Sequence, residues 1–179
     1  MPIIIAEAEY GDLGAILELQ YLAFQSQALL LNDFNIPPLK QTPDEIRAEF
    51  LKCKFLKAVD ADCDVDYDAD CDADCDADCN ADCNADCDGI IGSIRGYTEG
   101  GTTYVNKAIV HPSRQGKGVG TMLIRALENA LPAGRYELFT SAKSLSNIAL
   151  YEKLGYAAYK EIETASGLRM VYMQKIIAD

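Results

Sequence analysis

Histidine occurs once in the 179 residues, as His111. A metal centre built on imidazoles therefore has almost nothing to draw on. No apolar run approaches the ~18 residues that a membrane-spanning helix takes; stretches such as Ala28–Leu31 are far too short. The opening residues, MPIIIAEAEYGD, carry no basic region and soon meet acids, so they do not read as a secretory leader. The expected location is the cytoplasm, and no membrane partner is expected. Cysteine is scarce except in one place. Six of the seven fall between residues 60 and 88, leaving Cys53 alone elsewhere, a poor case for a disulfide framework.

The same stretch lacks Lys and Arg and holds 13 of the 28 acidic residues. The net charge of −12 disfavours nucleic acid and anionic membranes as partners, but its origin is local. Outside 60–88, 15 acids face 16 bases, a charge of +1. From Ala61 to Asp88 the sequence repeats Ala-Asp-Cys-Asp seven times, with Val65, Tyr67, Asn80 and Asn84 as the departures. Tandem duplication of a 12-nucleotide unit accounts for its origin. The flanks, FLKAVD and DGIIGS, join into strand, turn and strand. The chain is thus expected to be a single domain, 1–179, interrupted at 61–88 by an expanded hairpin between its second and third strands. Loop closure costs little extra per added residue, so a domain tolerates this. Composition favours a disordered loop, with an extended hairpin as the second reading. Neighbouring cysteines along one strand would lie about 13 Å apart, too far to share an ion. Weak divalent-cation binding through Asp is expected rather than a defined metal site.

Elsewhere, periodicity reads as alternating strands and helices. Pro2–Ala6, Phe55–Val59, Ile90–Tyr97, Thr102–Val110 and Tyr136–Thr140 read as strands, with a last hairpin at Tyr156–Glu163 and Leu168–Gln174. Helices are expected near Asp12–Gln27 with Asp12 as N-cap, from Pro43, over Gly118–Leu131 and over Ser146–Leu154, with Asn35–Pro43 as a loop. This pattern gives an α/β domain around one mixed sheet.

One stretch carries chemistry: Ile109-Val110-His111-Pro112-Ser113-Arg114-Gln115-Gly116-Lys117-Gly118-Val119-Gly120-Thr121. A strand ends, a loop of glycine and base follows, and a helix begins. Unpaired N–H groups and partial positive charge at a helix start make an anion site. Glycine lets the backbone come close. Alone, the pattern is equally an ordinary glycine-rich turn, or a site for some other anion.

The arrangement resembles the GNAT superfamily of N-acetyltransferases. That family's acyl-CoA signature is Gln or Arg, two residues, Gly, one residue, then Gly or Ala, matched by Gln115, Gly118 and Gly120. A second block, Asn147-Ile-Ala-Leu-Tyr151-Glu-Lys-Leu154-Gly155-Tyr156, resembles the family's downstream segment. The resemblance implies a mixed, mostly antiparallel sheet with helices on both faces, and acetyl transfer from acetyl-CoA to a primary amine. It implies that the backbone of Gln115, Gly116, Lys117, Gly118, Val119 and Gly120 holds the pyrophosphate, with Thr121 a further cofactor-binding candidate. Ile109 and Val110 would pair with the pantetheine arm as an added strand. Tyr151 is the candidate acid for the leaving thiolate, its rival role being core packing. Asn147 is expected near the cofactor, or as a helix cap. The amine's proton goes to Glu137 or through water, while His111 is expected to be structural. Tyr104 is a candidate for the acceptor pocket; Tyr21, Phe24 and Phe34 are candidates for pocket or core. The acceptor is a small-molecule or peptide amine, and a homodimer is admitted. The rival reading is an inert transferase-like scaffold carrying the Asp/Cys repeat as a cation-binding or interaction module.

Overall fold

The structure is a computed structural model that describes residues 2–60, 89–164 and 167–177. The repeat at 61–88, and with it the expectations for its order and cation binding, lies outside the described residues.

The strands are β1 (Ile3–Glu7), β2 (Lys54–Asp60), β3 (Ile90–Glu99), β4 (Thr102–Val110), β5 (Arg135–Ser141), β6 (Ala157–Glu163) and β7 (Arg169–Ile176). The helices are α1 (Leu13–Leu31), α2 (Pro37–Lys40), α3 (Pro43–Phe50), α4 (Val119–Ala130) and α5 (Leu145–Lys153). Among the described residues the strands form one sheet in the order β1-β2-β3-β4-β5-β7-β6, antiparallel throughout except for β4 and β5. This is the mixed, mostly antiparallel sheet that the sequence implied.

Helix α4 shows why one side of the sheet closes. Val119, Leu123, Ile124 and Leu127 recur at helical spacing and are all buried to 1% exposure or less. Each such burial is worth ~1.5–3 kcal/mol. They pack with Tyr151 and Leu154 from the α5 end against Leu56, Ile94, Val105 and Leu138. On the other face, Leu13, Ile16 and Leu17 of α1 and Ile46 of α3 cover Phe55 and Ile109. Gly96 is a close approach in this arrangement: a Cβ there would lie 2.6 Å from the Tyr104 carbonyl oxygen and 2.9 Å from Leu127.

Three local expectations change. Helix α1 runs four residues beyond Gln27, because no breaker intervenes until Asn32 turns left-handed (φ 53°) and closes it. Asp12 does not cap α1 with its side chain; its carboxylate accepts from the Glu9 N–H at 2.6 Å and pairs with Lys57 at 2.7 Å. The proline-rich connection contains one helical turn, α2, since Pro37 suits a helix start. Thr42 caps α3 through a reciprocal box with Glu45, as the Thr-Pro-Asp-Glu sequence favours.

Candidate active site

Strands β4 and β5 run side by side for only three registers, Thr102–Arg135, Thr103–Tyr136 and Tyr104–Glu137. Beyond Tyr104 they part, although β4 continues to Val110 and β5 to Ser141. A cleft of about 1020 Å³ opens beside the free end of β4. Its walls come from α1, the end of β4, the loop into α4, and the start and inner face of α5.

The loop is held from both sides. Its entry is fixed by the His111 N–H, which donates to the Ile91 carbonyl at 2.8 Å. The His111 ring caps the short turn Pro112–Arg114, with Nδ1 accepting from the Ser113 N–H at 3.3 Å. The His111 ring is thus engaged within the turn. Gln115 folds back to donate from Nε2 to the Val110 carbonyl at 3.2 Å. Gly116 (φ 74°) and Gly118 (φ 86°) take the left-handed region that other residues enter at a cost of ~1–2 kcal/mol. Gly118 directly precedes α4, and the first intrahelical bond runs from the Met122 N–H to its carbonyl at 3.1 Å. The N–H groups of Val119, Gly120 and Thr121 therefore have no partner within the helix. They stand at its positive end, beside the cleft.

The cleft brings together Ile109, Val110, Gln115, Gly116, Gly118, Val119, Gly120, Thr121, Asn147 and Tyr151. Lys117 is exposed and is not among the lining residues. Positive charge in the walls comes instead from Arg114, Lys143 and Lys153, and no Asp or Glu is among the described lining residues. Lys143, just before α5, and Lys153, at its end, were missed from sequence, because nothing local brings them into one cleft with the start of α4. Arg114 has its guanidinium 2.7 Å from Asp60, whose side chain is 1% exposed at the end of β2.

Tyr151 is 8% exposed, and burial pushes its phenol up to about 12. It keeps its proton at neutral pH. Glu137 is not among the cleft's walls: at the last paired register, its carboxylate is held by Arg135 at 2.7 Å. Tyr104 stacks on Tyr97, with ring centroids 5.1 Å apart, and is not a wall residue either. Phe24 lines the cleft, Phe34 is exposed, and the Tyr21 hydroxyl donates to the Gln41 carbonyl. Among the described residues no cluster of His, Cys, Asp and Glu could hold a metal ion, and no helix is long and apolar enough to cross a membrane.

A family model described as an acetyltransferase (GNAT) domain matches residues 79–158. No sequence among the curated proteins matches the chain. Solved structures match over nearly its whole length. The ribosomal-protein-S18-alanine N-acetyltransferase of Escherichia coli is similar with a TM-score of 0.69 at 15% identity, over 99% of this chain and 96% of that one. The PaiA N-acetyltransferase of Thermoplasma acidophilum, solved with coenzyme A, gives 0.70 at 14% identity, over 99% and 100%. A spermidine N-acetyltransferase chimera from Vibrio cholerae and hSSAT gives 0.66 at 16% identity, over 98% and 96%. The chain has the GNAT fold.

Proposed function

We propose that the protein is an N-acetyltransferase that moves an acetyl group from acetyl-CoA to a primary amine. The observation that carries this reading is the cleft where β4 leaves β5. It has a bare strand edge on one side and the start of α4 at its end. The family model covering this region and the fold of the structural relatives support the same chemistry.

A diphosphate would sit against the backbone N–H groups of Val119, Gly120 and Thr121. Gln115, Gly116 and Gly118 shape the loop, and Arg114 supplies charge beside it. The free edge at Ile109 and Val110 would take the amide-bearing pantetheine arm as an added strand. In the reaction the neutral amine nitrogen attacks the thioester carbonyl. A C–N bond forms, the C–S bond breaks, and the sulfur leaves with the electron pair. The nitrogen then gives up a proton.

Tyr151 lines the cleft and would serve the sulfur. A phenol near 12 is a weaker acid than an ordinary thiol near 8.5, so its role is to donate a hydrogen bond to the thiolate. Asn147, one helical turn before Tyr151, lines the same wall. Glu137 is committed to Arg135, which favours water as the route for the amine's proton. The acceptor is a small-molecule or peptide amine.

The test is calorimetric titration of coenzyme A into the full chain, followed by thiol release from acetyl-CoA with spermidine and an alanine-initiated peptide as amines. Micromolar binding and amine-dependent release are expected. No binding would overturn the reading and leave the glycine loop as a turn.

A further inference from the structure

The sheet carries one strained residue next to the cleft. Between the pairs Ser93–Ile109 and Arg95–Asn106, β3 spends one residue, Ile94, whereas β4 spends two, Lys107 and Ala108. This is a β-bulge. Lys107 has φ 39°. The other non-glycine residue with positive φ among those described is Asn32, which closes a helix; Lys107 is in mid-strand. Nothing in its own side chain favours that conformation, so the surroundings must impose it. Ala108, Ile109 and Val110, which follow directly, form the cleft's strand edge.

The surroundings are a polar cluster beneath α1 and α3. Lys107 Nζ lies 3.0 Å from Glu49 Oε2 and donates to Gln41 Oε1 at 3.0 Å. Glu49 also pairs with Arg95 Nε at 3.0 Å, and accepts from Gln41 Nε2 at 2.6 Å. Arg95 is 2% exposed and donates from Nη2 to Gln20 and to Gln41, both at 2.7 Å. Burial works against the charge on Glu49, but Arg95, the Gln41 amide and Lys107 outweigh it and keep the carboxyl below its ordinary pKa. The cluster therefore presents a fixed carboxylate to the bulged residue.

We infer that Glu49 is a positioning residue for the cleft: by holding Lys107 in its left-handed conformation it sets the bulge, and the bulge sets the edge that Ala108–Val110 offer. That the edge receives coenzyme A rests on the function proposed above. Glycine adopts a positive φ without strain. Lys107→Gly should thus make the bulge independent of its anchor, although it removes the ion pair with Glu49.

The experiment compares the full chain with Glu49→Gln, Lys107→Gly and the double variant, by coenzyme A calorimetry and by amide hydrogen exchange over residues 105–111. Glu49→Gln is expected to weaken binding about ten-fold. Lys107→Gly should bind like the parent, and the double variant should recover to within about three-fold of it. A merely structural role for Glu49 predicts no recovery in the double variant, since Lys107→Gly also removes the hydrogen bond to Gln41. Unchanged binding in Glu49→Gln, or no recovery in the double variant, overturns the inference. If the parent itself does not bind coenzyme A, the functional reading fails and exchange decides the inference. Faster exchange in Glu49→Gln that is restored in the double variant supports it, and unchanged exchange overturns it. Should Glu49→Gln not fold, Gln41→Ala takes its place, since it cuts the second contact to Lys107.

Discussion

The ion pair between Asp60 and Arg114 offers the sharpest test of how the loop is held. Asp60 is the last described residue before the repeat, and its side chain is 1% exposed. Arg114 lies in the loop before α4, and its side chain is 23% exposed. Their 2.7 Å contact therefore ties the end of β2 to the anion loop. Asp60→Asn removes the carboxylate from this contact. Removing one partner of a buried pair costs ~3–5 kcal/mol. Arg114 can still reach water, which places the loss at the lower end, ~3 kcal/mol. For a chain of this length that lowers Tm by about 6–12 °C. The assay is a double-mutant cycle by urea unfolding, with Asp60→Asn, Arg114→Ala and both together. A charged hydrogen bond of this kind predicts a coupling of about 1.5–3 kcal/mol. A coupling under about 0.5 kcal/mol, the size found between independent sites, would refute the idea that this pair anchors the loop.

Three other predictions follow from the same geometry. Gly96→Ala would drive a Cβ to 2.6 Å from the Tyr104 carbonyl oxygen; overpacking of this order costs ~1–3 kcal/mol or more, and a lower urea midpoint at unchanged slope would register it. Tyr151 stays protonated in the fold until pH approaches 12, whereas an unfolded phenol ionises near 10. The unfolded state therefore binds fewer protons above pH 10, and stability falls between about pH 10 and 12 by roughly 3 kcal/mol. Tyr151→Phe should lose that part of the alkaline slope in urea titrations, and slow acetyl transfer by about 10² while leaving coenzyme A affinity unchanged. Deleting 61–88 removes 12 Asp from a segment whose flanks lie at the cleft end of the sheet. Residue 60 bonds to Gly89 and residue 92 pairs with Val110. Coenzyme A should bind the shortened chain more tightly at low salt, and the difference should vanish near 1 M salt, where screening acts over about 3 Å. Equal affinities at low salt would sink this expectation.

Much of the fold was legible in order along the chain. The α4 stripe of Val119, Leu123, Ile124 and Leu127 shows its period without help from the rest of the molecule. So do the alternating strands, and the glycine-rich approach to α4 that opposes a helix start to a strand end. Local patterns also settled the charge: the acidity belongs to 60–88 and not to the domain. What the pattern could not supply is anything that depends on which elements become neighbours. Strands β4 and β5 lie side by side across the whole of α4, and the cleft exists because they separate after Tyr104. Lys143 and Lys153 entered the site for that reason, and Lys117, adjacent in sequence, stayed out. The contacts that brace the cleft are longer still: Arg95 to Gln20 spans 75 positions and Lys107 to Glu49 spans 58. A charged residue reads as surface in a linear scan because burial without a partner is prohibitive. Its partner is supplied by the packing of helices on the sheet. Sequence thus determined the elements and the loop chemistry, and tertiary packing decided which charges face the cleft and which are spent holding it open.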